Sequence, residues 1–517
     1  MPTVTTVKRP GRGRLFLFTA LIVLVVCVGA IVVFFAMLPR VGKQAIVSAL
    51  ERQYRSTVEI QSLAISGFPH PHATGKGLVF RQNGRADRPP LITLQGFEAT
   101  ARWFGLLLIP HRISTIRLDG LQIHVSHGAE TTDKGGTHRR PDLVVGEILA
   151  DGAHLEILPA KSGKEPLQFD IYKLSLHSAG VNRPMRYDAQ LRNPKPPGLI
   201  DAAGDFGPWD AGDPGRTPVT GHYRFSGADL GVFKGIGGKL SSTGEFTGPL
   251  ERIEVRGQTD TPGFFVKSGS HPVDLKTTFS ATVDGENGDT LLHPVTACFG
   301  ETTVVAEGAV TQGPGGKGRM VSLDATVKDG SLADVLSLAV KSNPPPMTGR
   351  VSFHSKIIVP PGDGDIIDRL KLDGQFDVDS GKFTHAALEQ KVSELSERAR
   401  GNTQASGSLG TVTDLTGKFA LDSGIIRLTG LSFRIPGAAI RLSGTYGLKT
   451  EELNFHGTVT TQAELSEMTT GVKSFLLKAL DPLFKKKTAG AVIPIHIGGT
   501  RGNPSVSLDI RHGTRTE

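Results

Sequence analysis

Cysteine and aromatic residues are scarce in this chain. Its two cysteines, Cys27 and Cys298, leave no disulfide framework and no cysteine zinc site. Apolar burial and backbone pairing must therefore hold the fold. Phe, Tyr and Trp make up 6%, too few for the stacking platforms that hold single-stranded nucleic acid. Catalytic signatures are missing as well. Seven Gly-Lys pairs begin at residues 42, 75, 163, 238, 316, 381 and 417, and none has a glycine five positions ahead, so there is no phosphate loop. No Gly-x-Ser-x-Gly elbow and no His-Glu-x-x-His pair occurs. The net charge of +8 is mild for 517 residues, and apolar residues recur in ordered patterns to the end, which excludes a disordered chain. Glycine is plentiful at 64 residues; it shows no period of three, so collagen is excluded too.

Leu15 to Leu38 is a run of 24 residues without a charge. At 1.5 Å per residue it covers about 36 Å, enough to cross a hydrocarbon core of ~30 Å. A cleavable signal would be shorter and end in a small-x-small site; Phe35-Ala36-Met37-Leu38-Pro39 offers none. The run therefore reads as an uncleaved anchor. Lys8, Arg9, Arg12 and Arg14 precede it, and Arg40, Lys43, Arg52 and Arg55 follow, so a positive-inside count ties. The tight upstream cluster places the N-terminus in the cytoplasm and the bulk outside, in the periplasm of a two-membrane bacterium. Cys27, in the lipid, then cannot pair with Cys298 unless that residue is also embedded. This location excludes a plain cytosolic enzyme and disfavours nucleic acid as a partner.

From residue 57 onward the apolar period is two. Val58/Ile60, Ile116/Leu118, Leu121/Ile123/Val125, Leu155/Ile157, Leu167/Phe169/Ile171, Leu174/Leu176, Ile253/Val255, Ile440/Leu442 and Ile493/Ile495/Ile497 alternate with polar residues. Such runs are strands with one dry and one wet face. Gly, Asn, Asp and Pro clusters interrupt them at the spacing of an antiparallel, mainly β architecture, and turn demand accounts for the glycine. Three amphipathic helices are predicted, at Arg40–Tyr54, Thr384–Arg400 and Ala463–Lys486, the last kinked by Pro482. Phe376-Asp-Val-Asp-Ser-Gly381 recurs as Phe419-Ala-Leu-Asp-Ser-Gly424, which predicts a repeated strand, turn and strand. Linkers are predicted at Gly128–Pro141, Pro194–Pro218, Gly313–Gly318 and Pro360–Asp365; the last three read equally well as long hairpin loops.

The remaining polar constellations are weak. His70-Pro-His72 has no accompanying ligand cluster, so no metal is expected there. Asp363, Asp365 and Asp368 echo a calcium loop, but Ile366-Ile367 break the ligand ladder; a solvated turn is the expectation. No carboxylate pair suggests acid/base work. Lys485, Lys486 and Lys487 end the last amphipathic helix, where they either favour its C-terminus or attract anionic headgroups.

Three segments together resemble the AsmA family of envelope proteins. The first is the anchor followed by Val58-Glu-Ile-Gln-Ser-Leu-Ala-Ile-Ser-Gly-Phe-Pro69, Pro90-Leu-Ile-Thr-Leu94, Trp103-Phe-Gly-Leu-Leu-Leu-Ile-Pro110 and Ile116-Arg-Leu-Asp-Gly-Leu-Gln-Ile-His-Val125. The second is Lys391-Val-Ser-Glu-Leu-Ser-Glu-Arg-Ala-Arg-Gly401 with the stretch Phe419–Tyr446. The third is Leu480-Asp-Pro-Leu-Phe484 leading into Ile493-Pro-Ile-His-Ile-Gly-Gly-Thr500 and Asn503-Pro504. The resemblance implies an inner-membrane-anchored relative of TamB and of the chorein lipid bridges. Its fold would be a transmembrane helix followed by an elongated, curled antiparallel sheet, an open β-groove with a few amphipathic helices. It divides the chain into a basic tail (1–14), an anchor (15–38), an N-terminal β region (39–127), a linker (128–142), middle groove repeats (143–375) and a C-terminal β region (376–517) with helices near 384–400 and 463–486. It carries no catalytic residues, cofactor or metal.

A closed sandwich fills its interior with bulky side chains from two sheets, whereas one curled sheet leaves room for acyl chains held by non-directional burial. Ile116, Leu118, Ile123, Val125, Phe169, Ile440, Leu442, Ile493, Ile495 and Ile497 are the expected lining. Membrane phospholipids would be the partners, moved toward the outer membrane or used in its assembly. The alternative is a non-enzymatic scaffold that binds envelope proteins through its sheet edges.

Overall fold

The alternating runs fold into strands throughout the computed structural model. It describes residues 56–509 except 67–69, 83–89, 91, 103–110, 127–142, 159–166, 181–182, 209–213, 270, 286–287, 314–317, 385–395, 397–411 and 462–491. The anchor with Cys27, the helix at Arg40–Tyr54, most of 384–400, all of 463–486 including Lys485–Lys487, and the linker 128–141 lie outside the described residues. No helix among the described residues is long and apolar enough to cross a membrane.

The sheet opens with β1 (Ser56–Ser66), β2 (His72–Gln82) and β3 (Ile92–Ala101), each antiparallel to the next. Next come β4 (His111–Asp119) and β5 (Gln122–Ser126), which form one line against β3, broken at Gly120. Gly120 has a φ of +60°; that kink absorbs the phase slip between Ile116/Leu118 and Leu121/Ile123. On the other side lies β6 (Leu143–Leu158), parallel to both, with His111 facing Leu143 and Ser126 facing Leu158. This junction departs from the antiparallel expectation. A parallel neighbour requires a crossover of a dozen or more residues, and the stretch between Ser126 and Leu143 is long enough to provide one.

Beyond β6 the order is sequential and antiparallel. It runs through β7 (Leu167–Gly180), β8 (Met185–Pro194), β9 (Pro197–Phe206) and β10 (Pro218–Asp229). The short β11 (Ile236–Gly237) continues the line of β12 (Lys239–Pro249), and both pair with β13 (Ile253–Val266). Then follow β14 (Val273–Val283), β15 (Thr290–Phe299), β16 (Thr302–Gln312), β17 (Arg319–Ser331), β18 (Met347–Val359) and β19 (Lys371–Phe383). The last members are β20 (Thr413–Asp422), β21 (Ile425–Ile435), β22 (Ala438–Gly447), β23 (Leu453–Thr461), β24 (Val492–Thr500) and β25 (Asn503–Leu508). The result is one 25-stranded, mainly antiparallel sheet.

Two short helices interrupt it. In α1 (Leu332–Ala339) the Ser331 side chain caps the first turn by accepting from Asp334 N. In α2 (Ile366–Arg369) Asp365 does the same for Ile367 N at 3.0 Å. Neither was predicted, because each is too short to show a helical period.

Several sequence readings change here. Pro194–Pro218 contains the whole of β9, whose Ala202, Ala203 and Gly204 are too small to register as an apolar run. Gly313–Gly318 follows the second of its two readings, the hairpin loop, and closes β16–β17 with Gly313 N donating to Gly318 O. Of the two echoed hexapeptides, Phe419–Gly424 makes the expected turn, with Ser423 and Gly424 at φ of 53° and 74°. Phe376–Gly381 does not turn: β19 runs on to Phe383, and Ser380, at φ 55°, makes a bulge. In β7 a register shift between Ile171 and Lys173 joins two runs of opposite phase into one strand.

Similar shifts recur at Phe225/Ala228 in β10, Thr261/Phe264 in β13 and Val327/Gly330 in β17. Bulges bend a strand and raise its twist, which already amounts to about 20–25° per strand pair. Accumulated from β12 to β19, that rotation comes close to a half turn. The end of β10 thereby meets the turn before β19: Ile366 N donates to Lys234 O at 2.9 Å, Lys195 lies 3.6 Å from Asp363, and Val266 packs against Ile367, Leu421 and Leu448.

The dry face is not uniform. In β1–β7 it is filled by the protein's own side chains, among them Leu78, Phe80, Ile92 and Leu118 at no more than 1% exposure. A second core, around Val351, Val378, Ile440 and Phe455, occupies β18–β23 and is overlaid by Val335 and Leu336 of α1. Between them the dry side mixes glycine and alanine with Val, Leu and several rings, and most of it is half-buried. A Cβ on Gly221 would lie 2.5 Å from Tyr187 Oη, 2.7 Å from Ala203 O and 2.8 Å from Phe246 Cζ. Gly221→Val is expected to lower stability by about 1–3 kcal/mol, read as a shift of the denaturant midpoint. Gly364→Ala, in open space, should change it by less than about 0.5 kcal/mol.

Candidate functional site

The wet face holds the larger hollow, of about 1290 Å³, across β6–β14. Glu147, His177, Asp188, His222, Glu245 and Arg256 line it. Successive strands place them side by side: Asp188 faces Ala203, Ala203 faces His222, His222 faces Glu245, and Glu245 faces Arg256. Ser175 Oγ lies 3.0 Å from His177 Nε2, the spacing of a nucleophile and its base. The rest of such a site is missing. The nearest carboxylates, Glu147 and Asp188, stand 3.8 Å from the ring, beyond hydrogen-bond range. The backbone around Ser175 is spent on ladders to β6 and β8, so it offers no pair of donors for an oxyanion. The Ser175–His177 contact reads as cross-strand polar packing. A second hollow of about 710 Å³, lined by His354, Gln375, Asp377 and Lys418, repeats the pattern over β17–β21.

On the dry side the middle strands carry a different surface. The rings of Tyr187 and Phe246 close on Gly221 from two sides, and those of Tyr223 and Phe279 on Gly257, where a Cβ would lie 2.9 Å from each. Each ring lies over a neighbour without a side chain, which permits strong curl and leaves a shallow floor. Tyr187 Oη donates to Thr220 O at 3.4 Å. Tyr223 Oη meets Ser242 Oγ at 3.1 Å, and that hydroxyl in turn donates to Gln258 O at 3.0 Å. Burial raises the Tyr187 phenol above its ordinary range, and the carboxylates of Asp205 and Asp188 push it further. Burial also raises Tyr223, with the Ser242 bond acting the other way.

The expected lining falls into two separate places. Ile116, Leu118 and Ile123 stand in the packed first core at 1%, 1% and 5% exposure. Ile440 and Leu442 belong to the second core, and half-buried Ile493, Ile495 and Ile497 pack against it. Val125 and Phe169 sit in β5 and β7, and their side chains lie outside the described residues. The glycine-and-ring floor was missed because glycine was read as a turn residue. Its signal is alternation that counts glycine as an interior residue: Gly221-x-Tyr223-x-Phe225 and Ser242-x-Gly244-x-Phe246. Exposed His70 and half-buried His72 form no ligand set; His72 lies 3.7 Å from Glu98, and no group of three metal-type side chains occurs among the described residues. Asp363 and Asp368 pair with Lys195 and Lys449.

The raised phenols give an alkaline signature. A tyrosine harder to ionise when folded contributes stability that is full below the unfolded value of about 10 and is lost as pH rises through the folded value. Ultraviolet titration of tyrosinate is expected to show Tyr187 and Tyr223 ionising above the ordinary tyrosine range. Tyr187→Phe should lessen the loss of stability above pH ~10.

No family model, curated protein or solved structure matches this chain.

Proposed function

We propose that this chain is an AsmA-like, inner-membrane-anchored envelope protein whose dry face forms an open groove for the acyl chains of phospholipids, assisting their passage toward, or the assembly of, the outer membrane. The apolar run at Leu15–Leu38 supplies the anchor. One observation carries the reading. Across β9–β16 the dry side stays half-buried instead of closed: Ala202, Tyr223, Val255, Phe279, Ala297 and Ala306 all keep part of their surface open, with no charge among them. Acyl chains suit such a surface. Each methylene moved there from water contributes about 0.8 kcal/mol, so about eight of them hold a lipid firmly without any directional contact. Binding of that kind is similar at every step along a path and contains no deep trap. The packed first core excludes lipid from β1–β7, so the conduit is the middle of the sheet.

The second reading, a scaffold, draws on β25. Among the described residues it pairs only with β24, and Val506 on it is 49% exposed. Such an edge suits addition of an extended peptide, although Pro504 limits the pairing it can make.

The test is extraction of the full chain in mild detergent, followed by mass spectrometry of co-purifying lipid and a vesicle-to-vesicle phospholipid transfer assay. The groove reading expects several phospholipids per chain, and lipid-free protein would favour the scaffold. Ala297→Glu places a charge on the half-buried floor and should cut lipid load and transfer at least about tenfold, because a carboxylate is costly to desolvate beside acyl chains, with the circular dichroism unchanged. Ile123→Asp, in the packed first core, is expected to unfold the protein instead.

A further inference from the structure

The dry side from β9 to β16 carries no charged side chain: the Asp, Glu, Lys and Arg residues of these strands all project from the other face. Hydroxyls, however, gather at one place on it. Ser242, Thr259 and Thr277 stand directly opposite one another on β12, β13 and β14, and form a straight line across three strands. Thr261, the next residue on the same face of β13, is 1% exposed, and its Oγ1 has no hydrogen-bond partner. Ser242 is satisfied by Tyr223 and by Gln258 O. The half-buried Thr259 and Thr277 hydroxyls have no partner among the described residues.

A buried hydroxyl without a partner costs free energy, so a cluster of them on an otherwise apolar floor is suited to an occupant that brings acceptors. That occupant is uncharged where it touches the floor. A phosphate or a free carboxylate would be desolvated there with no cation to meet it. It is also apolar on either side of its acceptors, because Gly257 and Phe279 flank the line on one side and Leu275 on the other. We infer that Thr259 and Thr277, beside the buried Thr261, receive the ester carbonyls of a diacyl glycerolipid. The fatty chains then run along the glycine-and-ring floor, and the headgroup stays off the sheet. This inference rests on the groove reading above and adds a ligand class and a position to it.

The experiment compares two probes on the purified full chain: a phosphatidylglycerol with two ester-linked oleoyl chains, and its analogue with two ether-linked oleyl chains, which lacks both carbonyls. Lipid retained per chain after detergent exchange is measured by mass spectrometry. The expected result is about fivefold greater retention of the ester form, the worth of one ordinary hydrogen bond. Thr259→Val with Thr277→Val, close in shape to the native side chains, should abolish the preference while both lipids are still retained. Equal retention of ester and ether by the unaltered chain overturns the inference and leaves the groove standing. A preference that survives in the double variant also overturns it, because the carbonyls are then recognised elsewhere. Retention of neither lipid overturns the groove and this inference together.

Discussion

A single sheet has only itself against which to bury its dry face. No second sheet stands opposite among the described residues, and the two short helices cover little. The sheet must therefore bend, and everything else follows from how it does so. Bulges at Phe225/Ala228, Thr261/Phe264 and Val327/Gly330 raise the local twist. Neighbouring strands add their own rotation until distant ends meet at Lys234 and Ile366.

Bending solves the burial problem differently along the chain. Where Leu, Ile and Phe dominate, as in β1–β7, the interior closes on itself. In the middle strands glycine and alanine alternate with Val, Leu, Phe and Tyr, and the dry side stays half-buried. A few rings laid over glycines hold that thin region in shape. Tyr187 and Phe246 meet over Gly221, and Tyr223 and Phe279 over Gly257. Small aromatic content and large glycine content are thus two sides of one arrangement. The charges of the wet face mostly answer one another across strands. Pairs such as Lys371–Asp422 at 3.2 Å contribute little each at such exposure. They keep the outer side soluble and set register.

Much of the fold was legible in the sequence because period two is a direct imprint of a half-buried strand. Val58/Ile60, Ile253/Val255 and Ile440/Leu442 all fall where alternation puts them. The failures share a cause. Phase slips at Gly120 and Ile171 made one line look like two, because a bulge inverts the pattern without ending the strand. β9 was hidden by small side chains that carry no hydropathy signal. The parallel entry of β6 was invisible, because pairing direction leaves no trace in composition. The candidate floor was hidden for the reason β9 was. Large residues advertise an interior, while a glycine beneath a ring carries no hydropathy signal of its own.

One consequence concerns how the chain assembles. From β7 onward each strand pairs with its neighbours in sequence, the two-residue β11 aside, so hairpins can form early and zip outward in either direction. β4 and β5 differ. Their place beside β6 waits on a long loop closure, which makes the N-terminal corner the late, entropically expensive step. A chain made in the N-to-C direction therefore exposes its most apolar strands first and completes their shelter only after β6 has arrived. During that interval the nascent protein carries a bare hydrophobic edge, which calls for protection until β6 arrives.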